Sequence, residues 1–452
     1  MTDLADLPIL ACSLNKQISG RGIVRVRAGL TALATIVVVA AVGCTSGGEE
    51  GGARPSAAAT ATTAHHATTP NILATDASPR EVRARFEQLL GQHALLAVRL
   101  GRSEVAMDTD LQKVVETSLA ANAGALRQSV AVAYDDTRAD RFEQLWRGYT
   151  DQLTAYAEGA ATGNSAGVQE ARAALLKSCD DWGAWLEEAS GGRVAAGKAT
   201  RTAQTRVARL MEQVDAYAGR DYAKAYKLER QAYQGTYGAG TTLASASLTT
   251  KEAADLDKAP ENLRSAFSML LGEHMELIVD AQRATFAGSP EFEAAGAQVN
   301  ANTATLASAM GGIVGPDKAA EFQTAWANHV EGLLAYTTAA AAKDEAAKTV
   351  ARENLDGFAE RLALYFSDVI RNPLATDPLT HAITAHDEHL IAQVDAYAAK
   401  DYAKAQQVQD EGYQQMVGVA NVLVDAIEKV MAADMPAGGS KTGGGGAAHV
   451  HP

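Results

Sequence analysis

Five of the ten histidines in this chain, His274, His329, His381, His386 and His389, fall between residues 260 and 434. Imidazole is the side chain best suited to Zn, Cu and Ni ions, and it titrates near neutrality. Their spacing places several of them on apolar helix faces. Phe322, Trp326, His329, Leu333 and Tyr336 recur at steps of 4, 3, 4 and 3, which puts His329 in the middle of a buried helical stripe. Phe267, Leu270, Leu271, His274 and Ile278 give the same reading for His274. Ile383, His386, Leu390 and Val394 give it for His386, with His389 beside it one turn along. Three helices thus aim imidazoles inward, and Glu273, Glu276, Asp387 and Glu388 are nearby as ligands or as partners of ligands.

This pattern leaves three chemistries open. One is a transition-metal site, copper or zinc by preference, built from His274, His329, His386 and His389. A second is haem held by one or two of these histidines, necessarily non-covalent because no C-x-x-C-H occurs. The third is a buried hydrogen-bond network with no ligand. Proteolysis is excluded by spacing, since His386-Asp387-Glu388-His389 fits neither H-E-x-x-H nor H-x-x-E-H. The sequence also lacks a Walker A motif, G-x-S-x-G, a dinucleotide-binding glycine pattern and a Cys/His nucleophile pair, so no enzyme is expected.

The elements that position these residues come in two copies. Gln213-Val214-Asp215-Ala216-Tyr217-Ala218 and Asp221-Tyr222-Ala223-Lys224-Ala225 recur 180 residues later as Gln393 to Ala398 and Asp401 to Ala405. Arg83, Phe86, Gly91 and His93 match Arg264, Phe267, Gly272 and His274, while Phe142, Trp146 and Tyr156 match Phe322, Trp326 and Tyr336. Such self-similarity implies a duplicated structural unit. The copies differ at the imidazoles: His329 corresponds to Tyr149, His386 to Arg206 and His389 to Arg209, and only His274 keeps its counterpart, His93.

Abundant Ala, sparse internal Gly and Pro, and no sustained period-2 alternation predict an all-α fold. Breaks in the second copy predict six helices near 260–287, 291–311, 317–342, 345–371, 379–399 and 402–432. Asp401 is expected as one N-cap, and Ser289 as another with Pro290 at the first helical position. The expectation is two tandem homologous up-and-down bundles of about six helices each, over 79–248 and 260–434, joined by a linker at 249–259. Tyr217, Tyr222, Tyr397 and Tyr402 are expected to pack the bend between the last two helices of each copy.

The termini speak to compartment. Lys16, Arg21, Arg25 and Arg27 precede an uncharged, mostly apolar run from Ala28 to Gly43, and Ala41-Val42-Gly43 stands directly before Cys44. Residues 1–43 therefore read as a signal peptide of the lipoprotein type, with Cys44 lipidated, as by palmitate, and the chain held on the extracytoplasmic face of the cell membrane. Residues 44–78, rich in Ala, Thr, Gly and Ser, predict a disordered tether, and 435–452 a Gly-rich disordered tail ending in His449-Val450-His451. Of the three cysteines only Cys179 is then left, and it suits a buried thiol. The formal net charge of −14 becomes −16 without the signal, which argues against nucleic acid as a partner.

The histidines on helices one, three and five and the Gly272-Glu273-His274 segment resemble exported helical-bundle lipoproteins of Gram-positive bacteria, some labelled after copper amine oxidase amino-terminal regions. The resemblance spans both copies and implies an exported helical protein. It does not imply oxidase activity, because no β-rich catalytic module is present. Sequence alone thus points to an envelope-bound binding protein, with a structural or interaction role in the envelope, histidines serving only polar contacts, as the alternative.

Overall fold

In a computed structural model the chain is described over residues 74–369 and 376–434. The expected signal segment, Cys44, residues 44–73 of the expected tether and the His449-Val450-His451 tail lie outside these residues. The described residues are all-α, with no strand among them. Their thirteen helices are α1 Pro79–Ala106, α2 Thr109–Ala133, α3 Asp136–Thr162, α4 Ser165–Ala189, α5 Ala196–Ala218, α6 Tyr222–Ser247, α7 Thr250–Leu256, α8 Ala259–Ala287, α9 Phe292–Val314, α10 Pro316–Ala342, α11 Glu345–Val369, α12 Thr376–Ala398 and α13 Tyr402–Asp434.

Local chemistry sets most of these boundaries. Asp108, Asp135, Asn164 and Asp221 each accept a hydrogen bond from a first-turn backbone N–H, and Asp401 does so from Lys404. Left-handed residues end several helices: Gly163 and Gly288 at their C-caps, and Arg220 and Lys400 at equivalent turns of the two copies. Tyr217 packs on Tyr222, and Tyr397 on Tyr402, across those turns. Two boundaries differ from the sequence reading. Helix α9 begins at Phe292, because Ser289 is spent on closing the α8 end: its N–H donates to Ala284 while its hydroxyl accepts from Glu291 N–H. The expected linker contains α7, whose Thr249 and Glu252 form a capping box.

Helices α1 to α6 and α8 to α13 build two hydrophobic cores. Within the first group α1 touches α2, α3, α5 and α6; within the second α8 touches α9, α10, α12 and α13. Each first helix is therefore central, and both are buried around nearly their whole circumference. Their remaining face is closed by the other group, as α1 meets α8 and α13, and α8 meets α6. This is why polar residues on α8 lose contact with water.

The meeting of the two groups reproduces the internal repeat. Tyr233 and Tyr413, one repeat apart, place their hydroxyls 3.3 Å from each other. Tyr413 donates to the Gln88 carbonyl and Tyr233 to the equivalent Met269 carbonyl. Gly91 and Gly272 make room for these rings: a Cβ on Gly91 would lie 2.7 Å from the Tyr413 hydroxyl, and one on Gly272 2.8 Å from that of Tyr233. Charges close the same face unequally. Arg99 and Arg102 of α1 pair with Glu276 and Asp280 of α8, and Arg102 also with Glu229 of α6. The attraction within such buried pairs is largely offset by the cost of desolvating the charges.

Gly91→Ala is expected to destabilise the protein by about 1–3 kcal/mol through overpacking against the tyrosines. Gly124→Ala, whose Cβ meets nothing within 4 Å in helix α2, should stabilise it by roughly 0.5–1 kcal/mol. Urea midpoints of the two variants check the contrast; equal shifts would contradict close packing at Gly91.

Candidate metal centre

Helices α8, α10 and α12 touch one another pairwise, and each delivers one histidine to their common centre. His274, His329 and His386 are 0, 1 and 4 % exposed. One potential ligand atom from each lies within 4.8 Å of the other two. Ring centroids are 6.0 Å apart for His274 and His329, and 5.8 Å for each pair with His386. The 3.6-residue period that set these residues on apolar stripes thus produces a nearly equilateral triangle of imidazoles.

Each ring is held differently. His274 Nδ1 accepts the Trp326 indole N–H at 3.3 Å, and its Nε2 has no partner. An accepting Nδ1 places the proton of the neutral ring on Nε2. His329 stacks on Phe358 at a centroid distance of 4.4 Å, with its Nε2 3.5 Å from Asp387 Oδ1 and its Nδ1 unpartnered. His386 has a partner at neither nitrogen, and neither Asp387 oxygen accepts a hydrogen bond among the described residues. Six buried polar atoms therefore crowd one place without hydrogen bonds, each at a desolvation cost of about 1–3 kcal/mol.

Burial governs the protonation of the group. It holds His274 down to about 3, and it holds His329 and His386 well below the ordinary imidazole range, with neighbouring imidazoles adding to the effect. Burial likewise keeps the Asp387 carboxyl well above the usual carboxylate range, reinforced by Asp356 and Glu388. Neutral imidazoles with open lone pairs are the state that binds a metal ion.

His389 stands apart from the three. Its Nδ1 lies 2.6 Å from the Ala385 carbonyl, and its Cβ packs toward Gly412 of α13. His381 is exposed. Of the nearby carboxylates, Glu273 is engaged by Arg230, Gln234 and Asn302, Glu276 by Arg99 and Gln409, and Glu388 by Arg352. Asp387 alone sits at the centre. The sequence reading missed the Trp326 N–H as a partner of His274. Its signal was present, because Trp146 and His93 recur as the matching pair, with His93 Nδ1 accepting the Trp146 N–H at 3.2 Å.

The first group holds a related but different centre. Tyr149 and Arg206, at the positions of His329 and His386, line a cavity with His93, while Arg209 turns to donate to the Gln231 carbonyl. No family model, curated protein or solved structure matches this chain.

The buried imidazoles set an expected pH profile. An unfolded histidine takes up a proton near pH 6.5, whereas folded His274 and His93 resist protonation down to about 3, and His329 and His386 are also lowered. The unfolded state then binds more protons below pH 6.5, so stability falls with decreasing pH by up to about 1.4 kcal/mol per unit for each group. The buried carboxyls of Asp387 and Glu229, raised in the folded state, oppose this slope over the same window, so the imidazole contribution is read by difference: His386→Leu should change the slope of the urea midpoint between pH 6.5 and 5 by about one proton relative to wild type. An unchanged slope in folded His386→Leu would contradict a buried neutral imidazole at that position.

Proposed function

We propose that this chain is a cell-envelope binding protein, lipid-anchored through Cys44, whose second helical group holds one transition-metal ion through His274, His329 and His386. Copper and zinc suit this all-imidazole set better than magnesium or calcium, which prefer oxygen ligands. The observation that carries the reading is the group of buried, unpartnered imidazole nitrogens converging from three helices. Metal–nitrogen bonds of about 2.0–2.1 Å bring coordinated nitrogens to roughly 3.3–3.6 Å from one another, so small side-chain rotations must close the present 4.8 Å spread.

Asp387 supports the same reading. A ligating histidine commonly donates its second N–H to a carboxylate. His329 is placed for that role, with Nε2 toward Asp387 and Nδ1 free. A bound cation favours the carboxylate form, so metal uptake releases the Asp387 proton. Binding, rather than catalysis, is the role these residues support. Membrane attachment rests on the sequence around Cys44; among the described residues no helix is long and apolar enough to cross a membrane.

One observation favours the alternative of a buried polar network without metal. The Trp326 N–H occupies His274 Nδ1, and the same tryptophan–histidine pair recurs in the first group without companion histidines. For Nε2 of His274 to ligate, its proton must move to Nδ1, and the indole donor must give way. Trp326→Phe therefore separates the readings, because it removes the competing donor.

After reconstitution with copper or zinc, elemental analysis of the full chain should find about one firmly held equivalent, lost in His329→Ala and His386→Ala but retained in His449→Ala/His451→Ala. Trp326→Phe should tighten binding about 10-fold, the equivalent of one recovered hydrogen-bond cost. Less than a third of an equivalent in the wild type, or content unchanged in His329→Ala, would leave the polar network as the correct account. A Soret band would assign haem instead.

A further inference from the structure

Beside the imidazole triangle lies a cavity of about 40 Å³, and His329 and His386 form part of its wall. The other lining side chains are hydrocarbon, apart from the Trp326 indole and two thioethers, Met310 and Met416, which are 0 and 2 % exposed. Such walls offer a water molecule too few hydrogen-bond partners to hold it, so any further donor to an ion at the triangle has to come from the protein. The cavity does give a neighbouring side chain room to rotate. Methionine, unbranched and with three rotatable bonds, is well suited to use that room.

Of the two methionines, Met416 is placed to reach the triangle. Gln415 donates to the Ala382 carbonyl, which sets Met416 on the facing helix about one turn from the level of His386. Helices α12 and α13 run antiparallel, with His389 meeting Gly412 further up the pair. Helical side chains lean toward their own N-terminus, so Met416 leans from the level of Ala382 toward that of His386. Met310 lies at the far end of the cavity. Asn302 of α9 donates to the Leu270 carbonyl, and Met310 stands about two turns beyond it, away from His274.

The donors at hand are thus three imidazoles and one thioether, all uncharged. A thioether is a soft donor that selects Cu(I). Charge points the same way. Among the described residues Asp387 is the one carboxylate at this centre, so at most one unit of negative charge meets the ion. The cost of desolvating an ion rises with the square of its charge, which favours a monovalent ion in so buried a place. We propose that the triangle takes copper as Cu(I), with the Met416 thioether swinging in from the cavity as a fourth donor; this rests on the triangle being the metal centre.

Anaerobic competition of the metal-free full chain against bicinchoninate for Cu(I), and against a zinc chelator for Zn(II), tests the assignment together with copper-edge X-ray absorption. Cu(I) should bind at least about 10-fold more tightly than Zn(II), and its spectrum should contain one sulfur scatterer. Met416→Leu, which nearly conserves volume, should remove the sulfur, weaken Cu(I) binding about 10-fold and leave Zn(II) binding unchanged. Met310→Leu should alter neither. The sulfur signal is read in the wild type, so a folding defect in Met416→Leu does not remove the test. Failure to bind either ion would overturn the metal centre and this assignment with it. His329-dependent binding of both ions with equal affinity, or a Cu(I) ligand set without sulfur, would overturn the assignment and leave the metal centre standing.

Discussion

Taking an imidazole out of water without giving each of its nitrogens a partner is unfavourable, and this chain leaves at least one nitrogen unpartnered on three imidazoles at one point. The second helical group is arranged around that constraint. Helix α8 is central, surrounded by its own neighbours and capped by the first group, so nothing on its inner face reaches solvent. His274 is relieved on one side by Trp326, His329 by ring stacking on Phe358, and His386 by neither. The apolar packing of Phe322, Leu333, Leu362 and Leu390 offsets the deficit. Unsatisfied polar groups are rare in folded proteins, and their concentration here is the physical reason to assign the centre a ligand.

The sister centre shows what the scaffold requires by itself. His93 and Trp146 preserve the indole-to-imidazole hydrogen bond, so that pair belongs to the packing of both groups. The positions of His329 and His386 carry Tyr149 and Arg206, which exchange two potential ligands for a phenol and a fixed cation. One duplicated framework therefore holds two polar centres of different composition, three imidazoles in one and an imidazole, a phenol and a guanidinium in the other. The two groups are also unlike at their junction, where α1 contributes Arg99 and Arg102, and α8 answers with Glu276 and Asp280. That complementarity makes the second group a partner of the first and not a second copy of it.

Much of this was legible before any coordinates. Helix periods of 3.6 residues depend only on local sequence, which is why His274, His329 and His386 could be placed on buried stripes and why the turn at Lys400-Asp401 was recognisable. His389 was harder, because a residue beside a stripe can face either neighbour, and packing against Gly412 on α13 decided it. The carboxylates next to the histidines in sequence were equally ambiguous. Glu273, Glu276 and Glu388 are claimed by arginines on α6, α1 and α11, contacts between segments far apart in the chain. The Tyr233–Tyr413 meeting was beyond reach for the same reason: repetition reveals equivalent residues, but not that their hydroxyls face each other.

The central claim is that the imidazole triangle is a metal centre, and X-ray absorption at the copper or zinc edge of the loaded full chain tests it most directly. The account predicts a first shell containing three imidazole nitrogens at about 2.0–2.1 Å, reduced by His329→Ala. A first shell of oxygen alone, or a nitrogen shell unaffected by His329→Ala and His386→Ala, would contradict it.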